Sequence, residues 1–171
     1  MIEKFKKSDL YKLNESIFKL LDQDWMLVCA GTPGNYNMMT ASWGTCGILW
    51  NKPIATAYIR PQRYTYEFVE KHDIFTLNFF DESFRKTLNL LGTESGRDMD
   101  KMKVDGLDAL PSTQGSVYFK QARIALECRK IYCDDIKPEN FLDKGIHNMY
   151  PEKDYHRFYI GEIIHAITKF V

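Results

Sequence analysis

This sequence lacks both an excess of charge of one sign and any long apolar run. Its 23 Lys and Arg residues balance 23 Asp and Glu residues, which leaves a formal net charge of +0. That balance argues against a protein that binds nucleic acid through bulk positive charge. No apolar run is long enough to cross a membrane, and residues 1–15 are too polar for a secretory signal. We therefore expect a cytoplasmic protein with no nucleic-acid or membrane partner.

The standard catalytic and metal-binding motifs are also absent. The chain has no G-x-G-x-x-G, no P-loop and no G-x-S-x-G, so a Rossmann nucleotide site is not expected. The four cysteines form no C-x-x-C pair, and no spacing with the four histidines completes a zinc site. We expect reduced cysteines, no metal, and histidines at the surface or satisfied in the core. Cys46 is the cysteine nearest to the segments discussed below.

What the chain has instead is a high aromatic content and a succession of short alternating segments. Aromatic residues make up 14% and hydrophobic residues 44% of the 171 residues, which suits one domain with a substantial core. Many strand patterns with only short helical patterns favour a mainly β fold, a β-barrel with short helices, over a doubly wound sheet. The last strands are apolar on both faces, so a helix or a second subunit should cover the barrel. We predict a single domain over residues 1–171.

The boundaries of the elements follow from hydrophobic periodicity and from turn residues. An apolar run followed by turn residues predicts a hairpin at 25–46, with residues 32–37 as the turn region. Asp81 is placed to cap a helix that Gly92 can end. Strands are predicted at 25–31, 37–46, 54–60 and 75–80 and within 117–134 and 155–170, and helices at 14–23, 61–72 and 81–92. Loops are predicted at 47–53, with a short extended piece, and at 93–106.

The segment IRPQRYTYEF (59–68) carries the strongest chemical signal. Arg60 ends a strand, Arg63 follows the turn, and Thr65 can cap the next helix. Free backbone N–H groups at a helix start and two guanidiniums would converge on one spot, which suits a phosphate. Alternatively, both arginines pair with surface carboxylates and Thr65 is only a helix cap.

The segment NMMTASWGTC (37–46) is a second candidate. Thr40 and Ser42 would share one face of a strand, and Ala41 and Trp43 the other. If this strand runs beside 54–60, the two hydroxyls reach the same phosphate or sugar. Alternatively, the small residues only permit close packing, and the Met and Trp side chains belong to the core.

Several segments together resemble one family. NMMTASWGT, YIRPQRYTYEF, FTLNFF, GTESGRDMDKM, ALECR and YIGEI, in this order, are similar to the flavin reductase-like, FMN-binding split-barrel family, and most to its flavoredoxin-type branch. The resemblance covers roughly residues 20 to 168. It implies a split β-barrel homodimer with FMN near the subunit interface. It also implies an FMN-dependent oxidoreductase that takes hydride from NADH or NADPH and passes electrons to free flavin or a protein acceptor.

The resemblance also implies which residues line the flavin, and none of them is assigned a catalytic role. Thr40 and Ser42 are expected toward the ribityl and phosphate, Asn37 and the methionine backbone toward the ring. Lys101 is expected near the ring; alternatively it is a solvated charge paired with Asp98 or Asp105. The implied cofactor-binding residues are Asn37, Met38, Met39, Thr40, Ser42, Trp43, Arg60, Arg63, Tyr64, Thr65 and Lys101.

Two other interpretations of the whole chain stay open. One is a flavoredoxin-like FMN electron carrier without significant turnover of NADH or NADPH. The other is a structural or ligand-sensing barrel that binds no flavin. The sequence does not name the electron acceptor and does not choose between NADH and NADPH, because it carries no dinucleotide fingerprint.

Overall fold

Ten strands and two α-helices make up the regular structure of residues 5–169, the part of the chain that the computed structural model describes. The strands are β1 (Phe5–Lys7), β2 (Met26–Thr32), β3 (Asn35–Ala41), β4 (Gly44–Leu49), β5 (Lys52–Ile59), β6 (Ile74–Phe79), β7 (Ala109–Pro111), β8 (Val117–Phe119), β9 (Ile124–Asp135) and β10 (Arg157–Lys169). The helices are α1 (Tyr64–Lys71) and α2 (Arg85–Thr93), with a π-helix at Lys19–Asp24 and 3-10 helices at Leu10–Lys12, Glu82–Phe84, Lys101–Lys103, Pro138–Asn140 and Lys144–Met149.

Eight of these strands form one antiparallel sheet that closes on itself. Its order is β3-β2-β6-β9-β10-β5-β4, and β1 pairs with β10. β3 and β4 are the two edges, yet Ser42 and Trp43 alone connect them. Three peptide units span no more than about 11 Å, so the end of β3 and the start of β4 lie close together. Among the described residues these two edge strands do not pair with each other, which agrees with the split barrel that the resemblance implies.

The hydrophobic side chains form two cores, one inside the barrel and one outside it. β2 contributes side chains to both cores: Val28 packs in the barrel interior, and Leu27 packs against α2 and β8 on the outside. The interior is tight where β10 crosses Phe75: a Cβ on Gly161 would lie 2.8 Å from that ring. Both faces of β2 are buried because the outer core covers it. The prediction that the last strands are covered on both faces holds for the first five residues of β9, whereas in β10 buried residues are interspersed with half-buried ones.

The predicted strand 37–46 is two strands. β3 pairs with β2 to form the predicted hairpin, whereas β4 pairs with β5. The arrangement in which the segment 37–46 runs beside 54–60 therefore holds only for its last residues, 44–46. The predicted loop at 47–53 with a short extended piece is mostly strand, since β4 continues to Leu49 and β5 begins at Lys52. β4 and β5 are joined by a two-residue turn at Trp50 and Asn51, with φ of 51° and 57°. Such positive values are typical of type I′ turns, although Trp is an unusual residue there.

The predicted helices all exist, but their ends differ. Residues 19–24 form a π-helix, and the predicted 81–92 helix begins as a 3-10 turn before α2. Asp81 makes no capping bond, and Gly92 lies inside α2. Arg63, not Thr65, is the N-cap residue of α1. The last residue of the predicted strand 155–170 lies outside the described residues.

Two segments leave the barrel, at 93–123 and at 136–156. Glu127 on β9 anchors the first, because its buried carboxylate accepts the Thr113 hydroxyl at 2.5 Å and the Gln114 N–H at 2.9 Å. His165 Nδ1 lies 3.0 Å from the same carboxylate. Over residues 5–169, none of the helices has the length and apolar character needed to cross a membrane.

Candidate functional site

Two neighbouring cavities open beside the split in the barrel, and Arg63 lines both. The aromatic cavity has a volume of about 220 Å³, and the basic cavity about 180 Å³. The aromatic cavity is lined by Met39, Thr40, Ala41, Ser42, Trp43, Tyr58, Arg60, Arg63 and His156. The basic cavity is lined by Asn37, Gln62, Arg63, Tyr64, Thr65, Thr93, Glu94, Ser95, Gly96 and Lys101.

Three elements bring these residues together. β3 supplies Asn37 and Thr40, the start of α1 supplies Arg63 and Thr65, and the segment after α2 supplies Lys101. They meet because α1 and α2 both pack against β3. Ten of the eleven predicted residues therefore line one cavity or the other.

Arg63 lies at the junction with one guanidinium nitrogen uncommitted. Its Nη1 donates to the Gly92 carbonyl at 2.7 Å, so the side chain is held against the end of α2. Its Nη2 is buried and has no hydrogen-bond partner among the described residues. Burial, together with the nearby charge of Arg60, lowers the pKa of Arg63. An anion placed here would satisfy a buried donor and relieve this repulsion.

Lys101 is a second buried cation in the basic cavity. Its side chain is 4% exposed, and its Nζ donates to the carbonyls of Met38 at 3.0 Å and Leu91 at 2.8 Å. Burial and the neighbouring Arg63 lower the pKa of Lys101 to about 8, although Glu94 acts in the opposite direction. The alternative of a solvated surface lysine is wrong. Lys101 instead ties the segment after α2 to β3.

The floor of the basic cavity is polar and tightly fitted. The Asn37 amide donates to the Thr65 hydroxyl at 2.9 Å, and both side chains are buried. A Cβ on Gly96 would collide with the Asn37 side chain and lie 2.8 Å from the Tyr64 ring. Only glycine therefore lets the segment 93–101 approach α1 and β3 this closely. Thr40, in the neighbouring cavity, donates its hydroxyl to the Leu88 carbonyl at 2.6 Å.

The Arg60 side chain, unlike that of Arg63, is fully occupied by contacts with the segment 136–156. Its Nη1 donates to Asp154 at 2.5 Å, its Nη2 donates to the Met149 carbonyl at 3.0 Å, and the guanidinium lies 5.0 Å from the centre of the Tyr150 ring. The interpretation of the arginines as partners of carboxylates thus holds for Arg60 and fails for Arg63. The two arginines share a cavity but differ in what they can still bind.

Trp43 and His156 form an aromatic wall that sequence patterns did not place. Their ring centres are 5.0 Å apart, and His156 Nδ1 lies 2.8 Å from the Tyr150 hydroxyl. Burial and Arg60 lower the pKa of His156 to about 4, so it is neutral near pH 7. Trp43 lines the same cavity as Thr40, and it follows β3, which ends at Ala41. No pattern singled out His156, which precedes β10 and reaches the cavity only in the folded chain.

Two residues noted in the sequence lie away from both cavities. The Met38 side chain is 1% exposed in the outer core, and only its carbonyl reaches Lys101. Cys46 lines a separate apolar cavity of about 230 Å³. Burial raises the pKa of the Cys46 thiol to about 11, which disfavours the reactive thiolate.

Comparisons with known proteins agree on one family. The model of the flavin reductase-like domain matches residues 19–169, and no curated protein matches the chain. Similar solved structures include an FMN-binding domain of a flavin reductase-like enzyme from Shewanella baltica (20% identity, TM-score 0.70, 98% of this chain and 78% of that one). A flavoredoxin from Methanosarcina acetivorans is 22% identical, with a TM-score of 0.66 over 94% of this chain and 74% of that one. The flavoredoxin of Desulfovibrio vulgaris is 19% identical, with a TM-score of 0.66 over 95% of this chain and 76% of that one. At these sequence identities, the structural similarity shows only that this chain has the same fold as those proteins.

The pKa of Lys101 gives a prediction for stability against pH. It is about 8 in the folded chain and about 10.4 in an unfolded one, so the unfolded chain binds more protons between these values. The free energy of unfolding should therefore rise with pH from about 8 to about 10.4. We expect Lys101→Met to lose this rise, as measured by urea denaturation across that range. Lys103→Met, whose side chain is 83% exposed, is the control and should keep it. Equal pH profiles for the two variants would contradict the prediction.

Proposed function

The chain belongs to the flavin reductase-like domain family, and from that membership we propose that it binds FMN and acts as an FMN-dependent oxidoreductase. Electrons come from NADH or NADPH and pass to free flavin or to a protein acceptor. The observation that carries the proposal is the buried Nη2 of Arg63 at the junction of the two cavities, which has no hydrogen-bond partner within residues 5–169.

The basic cavity has the groups that a phosphate needs. Arg63 supplies a free donor, Thr65 a hydroxyl, and Lys101 a second positive charge. The first turn of α1 adds backbone N–H groups that have no acceptor within the helix. The resemblance places Lys101 near the flavin ring, but Lys101 shares a cavity with Arg63 and Thr65. We therefore assign Lys101 to the phosphate end of FMN.

The aromatic cavity suits the ring end of the same ligand. Met39, Trp43 and Tyr58 supply apolar and aromatic surface, and Ser42 supplies a hydroxyl. Neither cavity alone reaches the ~300–1,000 Å³ usual for ligand sites, whereas the two together do. Bound FMN would supply the redox chemistry, and the protein would hold and orient it. We assign no catalytic side chain.

An electron carrier is the second candidate. Two of the similar structures are flavoredoxins, which favours a flavoprotein that exchanges electrons with other proteins. In that case reduced nicotinamide dinucleotides would reduce the flavin too slowly to matter. The two candidates share the FMN site and differ in the electron donor.

Visible spectra recorded without oxygen test the proposal. We expect the purified protein, reconstituted with FMN, to show a flavin band that NADH or NADPH bleaches within seconds. Bleaching only by a reduced partner protein would favour the carrier. A protein that stays colourless after reconstitution binds no flavin, and both candidates would then be wrong.

Removing the Arg63 side chain should weaken FMN binding. Arg63→Ala loses a charge-assisted hydrogen bond and should cost about 1–3 kcal/mol of binding free energy. Quenching of FMN fluorescence measures the dissociation constant. Arg129→Ala is the matched control, because Arg129 pairs with Glu162 and its side chain is 54% exposed. If Arg63→Ala binds FMN as tightly as the control does, the phosphate lies elsewhere.

We also propose that the protein is a homodimer that meets near this site. Four aromatic side chains form a row across the outer face of the sheet, with neighbouring ring centres 6.0–6.1 Å apart: Trp50, Tyr132, Phe158 and Tyr58. Trp50 is 56% and Tyr132 45% exposed, and interfaces are enriched in such residues. Tyr58 also lines the aromatic cavity, so a partner on this row would border the cofactor.

A charge in the middle of the aromatic row should separate the subunits. Tyr132→Glu would place a carboxylate in a desolvated interface, which costs several kcal/mol unless the charge is paired. We expect light scattering after size-exclusion chromatography to give half the wild-type mass. Tyr11→Glu, at a tyrosine that is 83% exposed outside the row, is the control and should stay dimeric. An unchanged mass for Tyr132→Glu would rule out this face.

A further inference from the structure

The last turn of α2 holds both buried cations of the basic cavity, and Glu94 follows directly after it. The Leu91 carbonyl accepts from Lys101 at 2.8 Å, and the Gly92 carbonyl accepts from Arg63 at 2.7 Å. These are carbonyls at the end of a helix, which have no partner within the helix itself. Glu94 is the C-cap residue of α2. The backbone therefore places an acidic residue beside the groups that hold both cations.

Glu94 is the acidic residue of the basic cavity. Among the lining residues in the described part of the chain, Arg63 and Lys101 are positive and Glu94 alone is negative. Glu94 is exposed, and its carboxylate makes no hydrogen bond or direct ion pair within residues 5–169. Even so, its charge raises the pKa of Lys101, against the lowering by burial and by Arg63. The carboxylate thus acts on the buried lysine through space.

The stability of α2 does not account for a carboxylate at this position. The C-terminal end of a helix carries a partial negative charge, so an acidic residue is unfavourable there and a basic one is favourable. α2 has no acidic residue in its first turn and no basic residue in its last, and Glu94 follows that last turn. The favourable interactions of this carboxylate are therefore with the two cations that share its cavity.

The charges of the basic cavity suit the ligand-free protein better than a bound phosphate. Arg63 and Lys101 together carry about two positive charges near pH 7, because a pKa of about 8 leaves Lys101 mostly protonated. Glu94 reduces this sum to about one. A phosphate monoester carries about −1.5 to −2 charges at pH 7. The two cations alone would neutralise it, whereas Glu94 leaves the occupied cavity with an excess of negative charge.

We propose that Glu94 is an internal counter-anion of the basic cavity, which stabilises the buried cations while no ligand is bound and competes with the phosphate of FMN. The inference rests on the proposed function, since FMN is the ligand whose phosphate enters this cavity. Glu94 thereby sets the affinity for the phosphate group and does not affect binding of an uncharged flavin. Its charge favours exchange of FMN over permanent retention.

Glu94→Gln tests the counter-anion, with Glu139→Gln as the matched control. Both variants replace an exposed carboxylate by an amide of similar size, but Glu139 lines neither cavity. Quenching of flavin fluorescence gives dissociation constants for FMN and for riboflavin, which lacks the phosphate. We expect Glu94→Gln to bind FMN about two- to fivefold more tightly than the control does, the size typical of one exposed charge interaction. Riboflavin should bind equally to both variants.

Salt and stability separate a counter-anion from a change in the shape of the cavity. The gain in FMN affinity should be present at about 10 mM salt and largely lost at about 1 M, where the Debye length is about 3 Å. Without ligand at low salt, the urea midpoint of Glu94→Gln should lie below that of Glu139→Gln, because the cations lose their counter-charge. A side chain that only supports the fold would not lower stability and raise affinity together.

Equal FMN dissociation constants for the two variants at low salt would overturn the proposal. An equal gain for FMN and riboflavin would also overturn it, since the effect would then not depend on the phosphate. If neither the wild type nor the variants bind FMN, the proposed function is wrong, and inorganic phosphate decides the role of Glu94. Phosphate should raise the urea midpoint of Glu94→Gln more than that of the control, and an equal rise would overturn the counter-anion as well.

Discussion

The short passage from β3 to β4 is the constraint on which the rest of the structure depends. Only Ser42 and Trp43 connect the two edge strands of the sheet. When the barrel closes, these two residues are therefore placed at the split. β3 carries Thr40 on one side of the split, and β5 delivers Arg60 to the other. The cavities exist because the sheet closes there without a continuous row of hydrogen bonds.

Buried positive charge is the second organising feature. Arg63 and Lys101 are held by carbonyl oxygens of α2 and β3, which satisfy donors without neutralising charge. Such an arrangement costs free energy while no anion is bound, since both pKa values are lowered. The same cost favours an anionic ligand, because its binding removes the repulsion. Binding of phosphate and attachment of the segment 93–101 thereby depend on the same side chains.

Arg60 and Arg63, in the turn before α1, show which features of the site the local sequence can predict and which it cannot. Their spacing places both beside the start of a helix, and both do line one cavity. Their partners come from distant segments: Gly92 lies on α2 and Asp154 in the segment 136–156. No local pattern distinguishes Arg63, whose Nη2 has no partner among the described residues, from Arg60, which pairs with Asp154. Strand alternation does not fix the face of Trp43, because alternation predicts a face only while the strand continues and β3 ends at Ala41.

The sequence by itself determined a mainly β fold, a hairpin within 25–46 and helix α1, because hydrophobic period and turn chemistry are local properties. The residues expected at the site came from the resemblance of several segments to one family. Tertiary structure decided that β4 pairs with β5, that Lys101 is buried beside Arg63, and that His156 joins Trp43. These depend on which segments meet when the sheet closes. Closure of the sheet depends on packing of the whole chain, so no single segment of the sequence predicts it.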